Sequence, residues 1–110
     1  YVGDARNQFA LFVRPQIIEQ LTIMTDYITQ KGYKVMIYTN KNGYKKFIKK
    51  HLSHLPLWIC SFQHPHRVRG YNWTILQYSH WGEVDGIKGG VDLDVFNGDS
   101  LAWERWLQAI

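Results

Sequence analysis

Three stretches in the second half of the chain decide how it folds: LPLWICSF (residues 55–62), YNWTILQYS (71–79) and IKGGVDLDVFNGD (87–99). Each is a short apolar run rich in β-branched and aromatic residues and bounded by Gly, Pro, Asn or His, the pattern of a strand. Each also carries a group able to do chemistry: aromatic rings in the first, an amide in the second, carboxylates in the third. Strands are expected at 57–62, 73–78 and 91–96. Upstream, KVMIYT (34–39) is a fourth such run, nearly continuous in its apolar content, as a strand covered on both faces is. Ile17, Ile18, Leu21, Met24 and Ile28 recur at helical spacing, Pro15 suits a first turn and Gly32 suits the stop, so a helix is expected over about 15–31. The preceding residues 4–14 read as an extension of that helix or as a separate turn, since Phe9, Phe12 and Val13 are also helically spaced. A second, basic helix should follow the first strand with Asn42 at its N-cap. A last one, capped by Asp99 or Ser100, should place Leu101, Trp106 and Leu107 on one side. This order predicts an α/β fold with parallel strands.

Composition narrows the classes. At 110 residues and 45% hydrophobic content, the chain is large enough for one domain with one core and too small for two. No apolar run approaches the roughly 18 residues that cross a bilayer. The chain opens at Tyr1 without a Met or a basic-then-apolar leader, as expected of a start made by processing or cleavage. Cys60 is the single cysteine, so no internal disulfide forms; with no His beside it in sequence, it reads as a small hydrophobe within a strand rather than a nucleophile.

A net charge of +4 fits an anionic partner, either a surface polymer or nucleic acid. Much of the excess lies in KNGYKKFIKKHL (41–52), where Lys45, Lys46, Lys49 and Lys50 face one way and Phe47, Ile48 and Leu52 the other, the pattern of a solvated helix face. Five Trp and seven Tyr supply flat apolar faces of the kind that stack on sugar rings or on bases. His51 with His54, and His64 with His66, lack the acids or thiols that would complete a zinc site. His64 and His66 are expected on a loop after strand 57–62, with Arg67 and Arg69, near substrate or solvent. Neither a phosphate-binding Gly loop nor a nucleophile elbow is present. No metal or organic cofactor is implied.

GYKVMIYTN, PLWICSF, WTILQYS and GGVDLDVFNG, in this order from about Gly32 to Asp99, resemble the family 25 glycoside hydrolases, the Chalaropsis-type lysozymes that cut bacterial peptidoglycan. The resemblance implies an α/β fold, the C-terminal half (strands five to eight) of a TIM-type (β/α) barrel with reduced outer helices and an active site at the C-terminal ends of its strands. It implies an N-acetylmuramidase hydrolysing the β-1,4 bond between N-acetylmuramic acid and N-acetylglucosamine, secreted or held in the cell envelope of a bacterium. Its partners would be peptidoglycan glycan strands and, to complete the sheet, the N-terminal half of the same barrel or a second copy of this chain; nucleic acid is not a partner on this reading. The family's main acid pair, an Asp-x-Glu ending the fourth strand, would fall just before Tyr1, and no Asp-x-Glu occurs in these residues. The whole chain is therefore expected to be half of the catalytic barrel, inactive alone.

The resemblance also assigns site residues. Asp92 matches the acidic residue of the last strand and is expected to act in catalysis as an auxiliary carboxylate; a charge within so apolar a run is costly unless it has partners or a purpose. The residues alone leave open an Asp92 that bonds backbone amides of a neighbouring loop. Asp94 shares its strand parity, but matches a position that is usually a neutral amide and reads as structural. Gln77 matches the family's Trp-Gln-Tyr motif and Tyr38 its site tyrosine, both expected to bind substrate. Phe62 and Trp58, of equal parity, would offer apolar surface to the sugar, although a Trp early in a strand also suits a core. The sequence departs from the family at Phe62, where Tyr is frequent, and at Trp81, where a smaller polar residue is common. The competing class is a non-catalytic module that binds a glycan or single-stranded nucleic acid. Four parallel strands with two open edges speak against it.

Overall fold

The computed structural model of the chain describes residues 2–110, with side chains from residue 13 onward. The chain divides into two compact units, residues 1–35 with 42–55, and residues 36–41 with 56–110.

The first unit is built on α1 (Val2–Gln30), which runs straight through Pro15 instead of beginning there. The proline ring fixes a φ that is already helical and removes only one N–H from the ladder. The sequence before it (Ala5, Arg6, Gln8, Ala10, Leu11) has strong helix propensity, so the helix continues in both directions. Residues 4–14 thus extend the helix, while the side chains of Phe9 and Phe12 lie outside the described residues. Gly32 stops α1 as expected: its φ is +91°, its N–H donates to Thr29 O at 3.0 Å, and the Tyr33 N–H returns to Ile28 O at 3.3 Å, a glycine-closed C-terminus. The buried Thr25 is satisfied within the helix, its hydroxyl donating to Leu21 O at 2.9 Å.

The second helical segment differs from the expected one. A short α2 (Lys41–Gly43) passes into a π-helical turn, Tyr44–Ile48, closed by Lys49 N–H donating to Tyr44 O at 2.9 Å. Asn42 is inside α2 rather than at its N-cap, because helix follows strand without a gap at Asn40 and Lys41. The expected split of faces is present: Ile48 and Leu52 are buried, Phe47 is half-buried, and Lys45, Lys46, Lys49 and Lys50 are exposed. This turn packs against α1.

The second unit is a four-stranded sheet of β1 (Ile37–Asn40), β2 (Leu57–Cys60), β3 (Ile75–Gly82) and β4 (Val91–Phe96), in that spatial order. β1, β2 and β3 are parallel, but β4 runs antiparallel to β3, which corrects the expectation of parallel strands throughout. The reason is the connection: residues 83–90 are too few for a parallel crossover, which needs a dozen or more, and suffice for a hairpin. At its end Gly82 approaches Leu93 so closely that an added Cβ would lie 2.5 Å from Leu93 Cγ. Only glycine fits there. β1 starts later than expected and β2 ends earlier, although Ser61 N–H still donates to Gln77 O at 3.0 Å.

Leu57, Ile59 and Leu76 point to one face of the sheet and are buried, as is Val68 on the 3-10 turn Pro65–Val68. After β4 comes α3 (Ser100–Ala109), whose N-terminus is capped as expected by Asp99 Oδ1, which accepts from Ala102 N–H at 2.8 Å. Of Leu101, Trp106 and Leu107, expected on one side of this helix, both leucines are exposed. Phe96 meets Trp103 and Trp106, with ring centroids 5.1 and 5.7 Å away. Among the described residues no helix is long and apolar enough to cross a membrane.

Candidate active site

Strand register brings most of the expected site residues together. Asn40, Cys60, Gln77 and Asp94 are aligned across β1 to β4, and Tyr38, Trp58, Ile75 and Phe96 form the neighbouring row. Side chains alternate along strands, so both rows project to the face opposite Leu57, Ile59 and Leu76. Tyr38 reaches diagonally over β2, and its hydroxyl donates to Gln77 Oε1. Gln77 is only 5% exposed, so its amide oxygen needs this partner. A bulge in the β3–β4 pairing falls directly after Gln77, a place where bulges commonly re-aim side chains.

Trp58 stands in the same group. Its ring meets Tyr38 edge-on at 4.9 Å, and its Nε1–H donates to Asp94 Oδ1 at 2.8 Å. The tryptophan is thus held by a charge-assisted bond that sequence reading did not anticipate. Asp92 follows the parity of Asp94 on β4 and is exposed. The desolvation cost expected of a charge in an apolar run is therefore not incurred, and among the described residues the Asp92 carboxylate has no hydrogen-bond partner. Nothing in its surroundings gives it the loop-bracing role that the sequence left open.

A side-chain hydrogen bond with Cys60, then burial and the negative charges of Asp92 and Asp94, push the Tyr38 phenol above its ordinary 10.0. At neutral pH the hydroxyl therefore stays protonated and remains a donor. Cys60, read from sequence as a plain strand hydrophobe, is half-buried and sits against this hydroxyl. The linkage has a definite sign: a phenol that ionises later in the folded state adds stability that is fully present below the unfolded value near 10, and is lost as pH rises from there through the folded value. Absorbance titration of phenolate should show one late-ionising tyrosine that disappears in Tyr38→Phe. An unchanged alkaline titration curve in that variant would contradict the assignment.

Phe62 follows β2 and is 50% exposed. Its ring lies 4.4 Å from that of His80, which lies 4.6 Å from Trp81. Trp81 is 74% exposed. His80 Nδ1 is buried without a hydrogen-bond partner among the described residues. Sequence reading missed the role of His80 and Trp81 in this cluster; the signal available was an exposed-type His-Trp pair immediately after Gln-Tyr-Ser. His64 and His66 do not join the site, contacting each other through their Nδ1 atoms at 2.6 Å. Among the described residues no three His, Cys, Asp or Glu side chains are grouped to hold a metal.

The face thus offers a protonated hydroxyl, a fixed amide, an indole held at its N–H, and an unpartnered carboxylate. That set can orient a polyhydroxylated ligand and stabilise positive charge beside it. Comparison with known proteins agrees in kind. The model of the family "Glycosyl hydrolases family 25" matches residues 13–87, a span that includes Tyr38, Trp58, Phe62 and Gln77 and ends before Asp92. The chain is 35% identical over 82 residues to an autolytic lysozyme of Clostridium acetobutylicum, covering 74% of this chain and 25% of that protein. It is equally 35% identical over 80 residues to the uncharacterized protein YegX of Escherichia coli O157:H7, covering 72% of this chain and 29% of that one. A solved family 25 glycosyl hydrolase from Bacillus anthracis superposes with a TM-score of 0.68 at 27% identity, over 84% of this chain and 45% of that structure. The chain spans between a quarter and a third of the length of these curated relatives. With a family match over more than half of its residues, the chain belongs to glycosyl hydrolase family 25.

Proposed function

We propose that this chain is the C-terminal half of a lysozyme barrel, strands five to eight, with the last strand antiparallel. The complete enzyme is an N-acetylmuramidase that hydrolyses the β-1,4 bond between N-acetylmuramic acid and N-acetylglucosamine in peptidoglycan, secreted from or held at the envelope of a bacterium. Family membership supports the reaction class, and the observation that carries the site is the joined pair of contacts, Tyr38 to Gln77 and Trp58 to Asp94, beside the unpartnered Asp92.

Glycoside hydrolysis needs one carboxyl group to protonate the leaving oxygen and a second group to stabilise or trap an oxocarbenium-like centre. The proton donor comes from the Asp-x-Glu pair of the N-terminal half. Asp92, open to the face, stabilises the positive charge that develops on the sugar. Tyr38 and Gln77 hydrogen-bond sugar hydroxyls, with the Tyr38 proton retained across the neutral range. Asp94 positions Trp58, whose ring, with Phe62, supplies apolar surface.

Trp81 extends that surface. Phe62 is two residues beyond Cys60 and His80 three beyond Gln77, so the Phe62–His80–Trp81 cluster stands roughly 7–10 Å along the strands from the Cys60–Gln77 row, at about 3.3 Å per residue. Covering about 50–80 Å² of indole at about 25 cal/mol per Å² is on the order of 1–2 kcal/mol, or roughly tenfold in Kd. Fluorescence titration of the complete enzyme with soluble glycan strands should show that loss in Trp81→Ala and no loss in Trp103→Ala. Equal affinities for wild type and Trp81→Ala would remove the cluster from the glycan path.

A further inference from the structure

We infer that the first unit carries a binding site for a second ligand, a polymer of phosphodiesters without bases. Arg14 of α1 and Lys45, Lys46, Lys50 and His51 of the segment after α2 line one concavity, together with Pro15 and Ile18. Sequence alone reads these lysines as the outer face of an ordinary helix, where they would simply meet solvent. The structure gathers them instead. The turn Tyr44–Ile48 is wound as a π-helix, closed by the Lys49 N–H to Tyr44 O bond at 2.9 Å, and turns of this rare kind concentrate at functional sites. Among the described residues no acidic side chain lines the concavity, and residues 41–55 contain neither Asp nor Glu. Like charges collected in a hollow without counter-charge repel one another, and an anion placed among them turns that repulsion into attraction.

The lining also selects the chemistry of the anion. Lysines outnumber the single arginine, and ammonium groups serve phosphate oxygens as point charges, whereas planar carboxylates favour the arginine fork. Four permanent cations exceed what one phosphate monoester can neutralise, since it carries about −1.5 to −2 near neutral pH. A ligand with several phosphates in sequence matches them. Among the described residues no Phe, Tyr or Trp lines the hollow, so beyond the small His51 ring it offers no broad surface on which successive bases could stack, the usual device of single-strand nucleic-acid sites. That the polymer belongs to a bacterial wall rests on the function proposed above; binding of a base-free polyphosphodiester does not.

The test is a fluorescence-anisotropy titration of the chain, and of the complete enzyme, with end-labelled poly(glycerol phosphate). Lys45→Gln/Lys46→Gln/Lys50→Gln is compared with a control of equal net charge, Lys31→Gln/Lys34→Gln/Lys88→Gln. Binding should weaken as salt rises, and the site variant should lose about tenfold or more while the control loses less than about threefold. The corresponding triple Lys→Arg variant, which keeps the charge, should bind nearly as wild type. Circular dichroism of all variants should match wild type. Hydrolysis of peptidoglycan stripped of phosphodiester polymers should be the same in the site variant and the wild-type enzyme, so failure of the muramidase reading leaves this binding result intact and the reverse also holds. Equal weakening by the two Gln variants, or binding of oligo(dT) of the same charge as tightly as poly(glycerol phosphate), would overturn the inference. So would a fall in hydrolysis of the stripped peptidoglycan by the site variant.

Discussion

Asp92→Asn, in a polypeptide that joins this chain to the acid pair, should lower kcat by roughly a hundredfold or more while KM changes far less. The substitution keeps size and shape and removes one negative charge. Asp92 is exposed on β4 and braces nothing among the described residues, so the fold has little to lose with it. What disappears is a carboxylate beside Tyr38, one of the charges that raise the Tyr38 phenol. In the ground state the sugar is neutral and such a charge contributes little binding; in the transition state the ring carries positive charge and the same carboxylate attracts it. An interaction made only in the transition state appears in kcat and not in KM. A hundredfold loss corresponds to about 2.7 kcal/mol, within the range for a preorganised electrostatic group. Near-normal turnover accompanied only by a lower Tm would return Asp92 to a structural role.

Much of the fold was legible because its signals are local. Gly32 ends α1 with a positive φ, Asp99 caps α3 through its own carboxylate, and β4 spans the expected residues 91–96. Errors arose where one local signal had two meanings. Pro15 suits a helix start, yet its φ also fits a helix interior, and α1 passes through it. The apolar content of β4 suits a parallel strand as well as an antiparallel one, and the short connection 83–90 decides for antiparallel. Side-chain partners were harder, because they depend on register. That Tyr38 would reach Gln77 across β2, or that Trp58 would find Asp94 two strands away, follows from the alignment of four strands and from no motif. The +4 charge was equally plain, but that Lys45, Lys46 and Lys50 line a hollow with Arg14 depends on the packing of the turn Tyr44–Ile48 against α1.

The second large effect concerns the division of the catalytic machinery. Asp92 and Asp94 are the carboxylates that this chain contributes to the site face: Asp94 is engaged by Trp58, Asp92 is exposed on β4, and on the proposed reading the proton donor belongs to the Asp-x-Glu pair of the other half. Hydrolysis by this chain alone should consequently be absent. The outer edges of β1 and β4 have no paired strand among the described residues, and unpaired edges invite another strand; in the proposed barrel those strands come from the half that bears the Asp-x-Glu pair. The most direct measurement is the release of reducing N-acetylmuramic acid ends from a peptidoglycan suspension, by this chain alone and by a polypeptide extended upstream through an Asp-x-Glu strand. The account predicts none above the buffer blank from the first and steady release from the second. Release by the 110-residue chain alone, or none by the extended polypeptide, would contradict it.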